Sequence, residues 1–263
     1  MNLAELTRSP YTSHWNAYEC LERIESHFLA QGDRRAIFTS VYRLTTKRMA
    51  ESIDSGLYAD SAWMQRYQTE FADHYRRALY NHAIGNVSAV PTAWRLAMDA
   101  AASGRTLIWQ DVLLGMNAHI NHDLPFAVEA VGIEPELDEK LKYHTAVNAV
   151  LSRVSDELIA VLGTLYGTHY AVIDAAMGSL DEVLLGTGMG TARSNAWRNA
   201  VLLASSRWWS RWLYLYWIRG AANSAAKLLL APALTASQLA LLRELEGSSP
   251  TLTFHWHLCD KAT

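Results

Sequence analysis

The stretch Gly115-Met-Asn-Ala-His-Ile-Asn-His-Asp-Leu-Pro125 decides how this chain is read. A helix over 107–131, turning about 100° per residue, gathers Ile108, Val112, Gly115, Met116, Phe126 and Ala130 on one arc, the face such a helix buries. His119, His122 and Asp123 fall on the same arc, with His122 about 60° to one side of His119 and Asp123 about 40° to the other. Imidazoles and a carboxylate on a buried face are costly unless a metal, a partner charge or a substrate meets them. Pro125 lacks an N–H and frees the carbonyl of Asn121, which predicts a kink or an end to the helix near His122.

Outward from this stretch the same periodicity continues in both directions, and period-two runs of β-branched residues are nearly absent. The expected class is all-α, a single-domain multi-helix bundle over 1–263 with a buried polar His/Asp site. Helices are predicted at 14–30, 33–53, 61–84, 92–103, 107–131, 136–166, 168–186, 190–218, 220–230 and 235–246, followed by an irregular tail over 248–263. Turn residues mark the breaks, among them Gly32-Asp33, Ser55-Gly56, Gly85-Asn86, Ser103-Gly104 and Gly247 to Pro250. Asp60 or Ser61 is the expected amino cap of the third of these helices.

Composition removes several function classes. Half of the 263 residues are apolar and 19% are charged, enough for a core, and the net charge of -3 comes with no basic run of the kind that neutralises phosphates. Nucleic acid is not an expected partner. Cys20 and Cys259 form no CxxC or Cys/His cluster, so neither a disulfide framework nor a thiolate zinc site is indicated, and a reducing cytoplasm is the expected location. No run of about 18 apolar residues predicts a transmembrane segment. The run Trp208-Trp-Ser-Arg-Trp-Leu-Tyr-Leu-Tyr-Trp-Ile218 crowds aromatic residues onto about three helical turns. It reads as a helix buried on most sides, or lining an apolar ligand cavity or a homodimer contact, ahead of a membrane-interface element. An exposed patch at 208–217 would favour the homodimer.

Two further helices carry polar residues on apolar arcs. In 61–84 the arc runs through Trp63, Tyr67, Phe71 and Ala78, with His74 and His82 facing inward or nearly so. In 136–166 it is expected to run through Leu137, Leu141, Leu151, Leu158 and Leu162, with His144 at its centre and Asn148 and Ser155 beside it. Helical bundles bring such side chains to a common centre. His119, Asp123, His144 and His74 together suit a divalent metal (Zn, Fe or Mn), with Asn148 fixing an imidazole or touching substrate. The metal-free alternative is a His119–Asp123 dyad with His122 or His144 as acid partner. Arg193, one turn before Trp197, suits clamping a ligand carboxylate or phosphate, or an ion pair with Asp156. Glu-x-x-His, GxSxG, a Walker loop and a strand-flanked GxGxxG are all missing, so no nucleotide cofactor is expected.

These stretches resemble a bacterial family known as domain of unknown function 5995. The resemblance rests on Ile37–Tyr42, Phe71–Ala78, Pro91-Thr-Ala-Trp94, Gly115–Pro125, His144-x3-Asn148 with Asp156, and Ala192-Arg193 with Trp197, and covers about 35–230. It implies a helical fold and draws attention to Asn117, His119, His122, Asp123, His144, Asn148, Arg193 and Trp197. Ser194 stands where members of the family often carry an acid. The functional expectation is an enzyme acting on a largely apolar small molecule, a hydrolase or a natural-product cyclase or isomerase. The alternative from another class is a non-catalytic binding protein for a lipid or apolar metabolite.

Overall fold

The computed structural model describes residues 2–166, 187–231 and 235–247. The predicted helix 168–186, the tail 248–263 and Cys259 lie outside the described residues, as do the side chains of Ser155, Asp156, Leu158 and Leu162. Among the described residues the chain is helical throughout, with no strand.

A short helix, α1 (Leu3–Leu6), is closed by an Asn2/Glu5 capping box. It precedes α2 (His14–Ala30), α3 (Ala36–Asp54) and α4 (Ser61–Ala83). Asp60 is the amino cap of α4, accepting from the Trp63 N–H at 2.8 Å. The next helix, α5 (Thr92–Ser103), ends at Gly104, whose φ of 63° is a left-handed conformation that glycine adopts without a Cβ penalty. Then come α6 (Ile108–Asn117), a π-helical turn over Ala118–Asp123, α7 (Leu124–Val131) and α8 (Leu137–Tyr166). Three further helices are α9 (Thr187–Ser205), α10 (Arg211–Leu230) and α11 (Ala236–Gly247).

The kink expected at Pro125 takes the form of this π turn. The N–H of Leu124 bonds to the carbonyl of His119, five residues back, and Pro125 follows inside the first turn of α7. One residue more per turn rotates everything after it by about 100°. That is why the buried residues of α7 are Leu124, Pro125, Ala127 and Val128, while Phe126 is half-buried and Ala130 exposed, against the arc extrapolated from α6. The turn also joins two apolar cores. Leu114 and Ala118 pack in one with Phe28, Tyr75, Leu79 and Trp94, and Leu124 and Val128 in the other with Trp63, Tyr67, Tyr143, Val147 and Trp197.

Two other expectations are corrected. The stripe that α8 buries is Tyr143, Val147, Val150 and Val154, with Leu141 exposed, so the helix is rotated from the leucine-based arc by about one residue while His144 stays inside. Tyr and Val pack against the aromatic side of α4 and leave Leu141 to solvent. The predicted helix 190–218 is broken at Ser206–Ser210, and Gly220, expected at a break, lies within α10.

The aromatic run is not buried. Trp208 is 89% exposed, Trp217 70%, and Trp209, Trp212 and Tyr216 are exposed too; Trp208 and Trp209 precede α10, which turns Ile218, Ala222 and Ala226 inward. None of the described helices is long and apolar enough to cross a membrane.

Candidate functional site

Asp123 is the anchor of the polar centre and is fully enclosed. Its Oδ2 accepts from His119 Nδ1 at 3.1 Å and from the indole N–H of Trp94 at 2.7 Å, and its Oδ1 accepts from His122 Nδ1 at 2.8 Å. Burial alone would raise the carboxyl pKa, but the hydrogen bonds from His119 and His122, with the nearby His122 and His74 rings, hold it well below the usual carboxylate range. An ionised carboxylate only accepts, so each imidazole directs a protonated Nδ1 at Asp123, which leaves a neutral His119 with its lone pair at Nε2. Residues 119, 122 and 123 lie on one side of the π turn, where Trp94 of α5 meets Asp123.

The His119 ring is fixed on every side. Phe71 stacks on it with centroids 3.6 Å apart and planes within 7°, and Tyr42 meets it edge-on at 4.3 Å. Burial lowers its pKa, opposed by Asp123, so it is neutral at neutral pH. His119 is 3% exposed, and its Nε2 is buried with no hydrogen-bond partner.

His119 is one of the residues that line a cavity of about 140 Å³. The lining is mostly apolar, with Phe38, Met64, Phe71, Met116, Val147 and Leu151 among it. Its polar members are short of partners. Gln68 donates from Nε2 to the Thr46 carbonyl at 2.6 Å, which fixes the amide orientation and leaves Oε1 unbonded. The indole N–H of Trp109 is likewise buried without an acceptor. Buried polar atoms are ordinarily hydrogen-bonded, so this cluster of unbonded ones around one cavity sets it apart from the rest of the core.

A second polar cluster joins α4, α8 and α9. The Tyr67 hydroxyl meets His144 Nδ1 at 2.8 Å, and His144 Nε2 meets the carbonyl of Arg193 at 3.0 Å. A carbonyl can only accept, so the proton is on Nε2 and the tyrosine donates to Nδ1. Burial, then the charge of Arg193, pushes the His144 pKa down to about 3, and burial pushes Tyr67 up to about 12 against the lowering effect of Arg193. Arg193 donates from Nε to Asn148 Oδ1 and from Nη2 to the His144 carbonyl, both at 2.8 Å, and its side chain lines the cavity.

A model for a family of unknown function, DUF5995, matches residues 16–232. The chain belongs to that family. The match reaches further toward the amino terminus than the motifs between 35 and 230 suggested. No curated protein and no solved structure matches the chain.

In this DUF5995 protein the residues singled out from sequence separate into groups. His119, His122 and Asp123 meet as expected, and His74 sits nearby, stacked on Phe126 with Nε2 3.5 Å from Glu70. His144 does not join them: both ring nitrogens are used by Tyr67 and Arg193. Among the described residues no three His, Cys, Asp or Glu side chains are arranged to hold a metal ion. Both Asp123 oxygens already accept N–H groups, so the donor set His119, Asp123, His144 and His74 does not fit a divalent metal as a unit. Arg193 reaches the cavity with Asn148 holding it. Trp197 packs on His144 at 5.2 Å, and Asn117 donates to the Ala222 carbonyl at 2.9 Å, a tie to α10. Sequence reasoning missed Trp94, Gln68 and Trp109 as site residues. Gln68, one place from Tyr67 and three from Phe71, borders the buried arc of α4, which is the signal that would have found it.

Proposed function

We propose that this protein is an enzyme in which His119, oriented by Asp123, acts without a metal as general base on a largely apolar small molecule held in the cavity. The observation that carries the reading is His119 Nε2: buried, a lone-pair acceptor by tautomer, unbonded, and on a residue that lines an apolar cavity. Proton removal by a neutral imidazole creates a cation, and the buried Asp123 carboxylate stabilises it while keeping the ring in place. The proton is returned from the same nitrogen, the pattern of an isomerisation or cyclisation, and activation of a water by the same base would make the reaction a hydrolysis.

The test uses 5-nitrobenzisoxazole, an apolar aromatic whose ring opens when a base removes its C3 proton: the N–O bond breaks, and a nitrile and a coloured phenolate form. Wild type is expected to open it faster than buffer, with a loss of about 10²-fold or more in His119→Ala and Asp123→Asn. Equal rates in wild type and His119→Ala would sink the base. Retained binding of the aromatic in both would then leave the second reading, a non-catalytic binding protein, which the apolar lining supports by itself.

For a partner, the exposed aromatic face of α10 supports contact with a second copy of the chain. Trp, Tyr and Arg are the residues enriched at protein interfaces, and the whole segment 187–231 contains no Asp or Glu.

A further inference from the structure

Three arginines are buried in the described residues, and they are not alike. Arg34 pairs with Asp111 at 2.7 Å, and Arg76 pairs with Asp73. Arg193, 4% exposed, has no carboxylate within ion-pair distance among the described residues. Its bonds go to neutral acceptors, Asn148 Oδ1 and the His144 carbonyl, with the Tyr67 hydroxyl beside it. A buried guanidinium that the described residues leave without a counter-charge is costly, and this one also acts to lower the His144 and Tyr67 pKa values beside it. The same side chain lines the cavity that His119 lines.

We infer that the cavity's ligand carries a carboxylate, seated on the Arg193 guanidinium, so that the substrate class is a small apolar carboxylic acid. The inference rests on the cavity being the ligand site, as proposed above. One guanidinium matches one negative charge. A phosphate dianion would leave charge uncompensated, since among the described residues no other cationic side chain lines the cavity. The anion gives Arg193 a counter-charge that no described residue supplies and fixes the apolar body against Phe71 and Met64, with a C–H or O–H directed at His119.

Phenylacetate and its neutral isostere phenylacetamide separate this inference from the cavity reading, with binding followed by titration calorimetry at pH 7. Wild type is expected to bind phenylacetate about tenfold or more tightly than phenylacetamide, as a charge-assisted hydrogen bond provides. Arg193→Met should remove that preference, lowering phenylacetate affinity about tenfold while phenylacetamide stays within about twofold. Arg193→Lys should recover part of it. If wild type binds the amide as tightly as the acid, the carboxylate inference is overturned and the cavity reading stands. That comparison needs no variant, so it decides even if Arg193→Met fails to fold. If neither compound binds, both readings fall.

Discussion

Arg193 and His144 clasp each other across α8 and α9, the Arg193 Nη2 donating to the His144 carbonyl and the His144 Nε2 to the Arg193 carbonyl. Each side chain therefore fixes the other's backbone, and the pair sets the register at which the guanidinium reaches the cavity. His144→Phe keeps a flat ring of similar size but removes both ring bonds and strands the Tyr67 hydroxyl. The expected cost is about 1–3 kcal/mol, read as a fall of about 2–4 °C in melting temperature per kcal/mol. Phenylacetate binding should weaken with it. An unchanged melting temperature together with unchanged affinity would show that the clasp fixes nothing.

Acid should destabilise the protein well before its carboxylates titrate. His144 is held neutral in the folded state, with a pKa near 3, against about 6.5 in the unfolded chain. Between those values the unfolded state binds the extra proton, so stability falls as pH falls, beginning near 6.5. For His144 alone the loss from pH 7 to pH 5 is on the order of 2 kcal/mol, and His119, shifted the same way, adds to it. Asp123 acts lower down: its depressed pKa gives stability that is present above about 3.9 and lost as pH falls toward the folded value. Urea midpoints at pH 7, 6 and 5 measure the effect. A midpoint that does not move over that range contradicts the neutral state assigned to both rings.

Gly115 is held by Phe38. A Cβ on residue 115 would collide with the Phe38 side chain, which lines the cavity and packs edge-on to Tyr75 and Trp94. Gly115→Ala forces that ring to move, a cost of about 1–3 kcal/mol for overpacking a filled core. The displaced ring should also change the cavity, so phenylacetamide affinity is expected to fall along with the melting temperature. Wild-type values for both would mean that Phe38 can move without consequence for either.

The local polar pattern was legible where spacing alone decides it. His119, His122 and Asp123 sit within five residues, so a single helical turn of either pitch brings them together, and the sequence shows the proline that widens it. What spacing cannot carry is rotation between helices. The π turn shifts α7 by about one residue, and the extrapolated arc then names Phe126 and Ala130 where Leu124 and Val128 are buried. The same limit put His144 with the wrong partners: it faces inward as expected, but α8 meets Tyr67 and Arg193, and no in-helix periodicity reports which helix stands opposite. The aromatic run at 208–217 misled for another reason. Hydrophobic composition implied burial, yet the small residues Ala222 and Ala226 with Ile218 form the packed side of α10, and the large rings are left outside.

That exposed side gives the last prediction. Trp208 and Trp209, just before α10, and Trp212, Tyr216 and Trp217 on it are large exposed rings of a kind that monomers rarely leave bare. On a two-fold contact each ring would meet the rings of the second copy, and the two faces bring no carboxylate from 187–231 to be desolvated. The mass by light scattering is expected to rise with concentration toward twice that of one chain. Trp212→Lys with Trp217→Lys should hold it at one chain. Because both positions face solvent, the melting temperature extrapolated to low concentration should stay within about 2 °C of wild type, as for surface changes of about ±0.5 kcal/mol. A mass that stays at one chain across the whole range removes the homodimer. Flotation of that monomer with anionic vesicles, abolished by the same pair of lysines, would assign the face to lipid, where Trp and Tyr also gather.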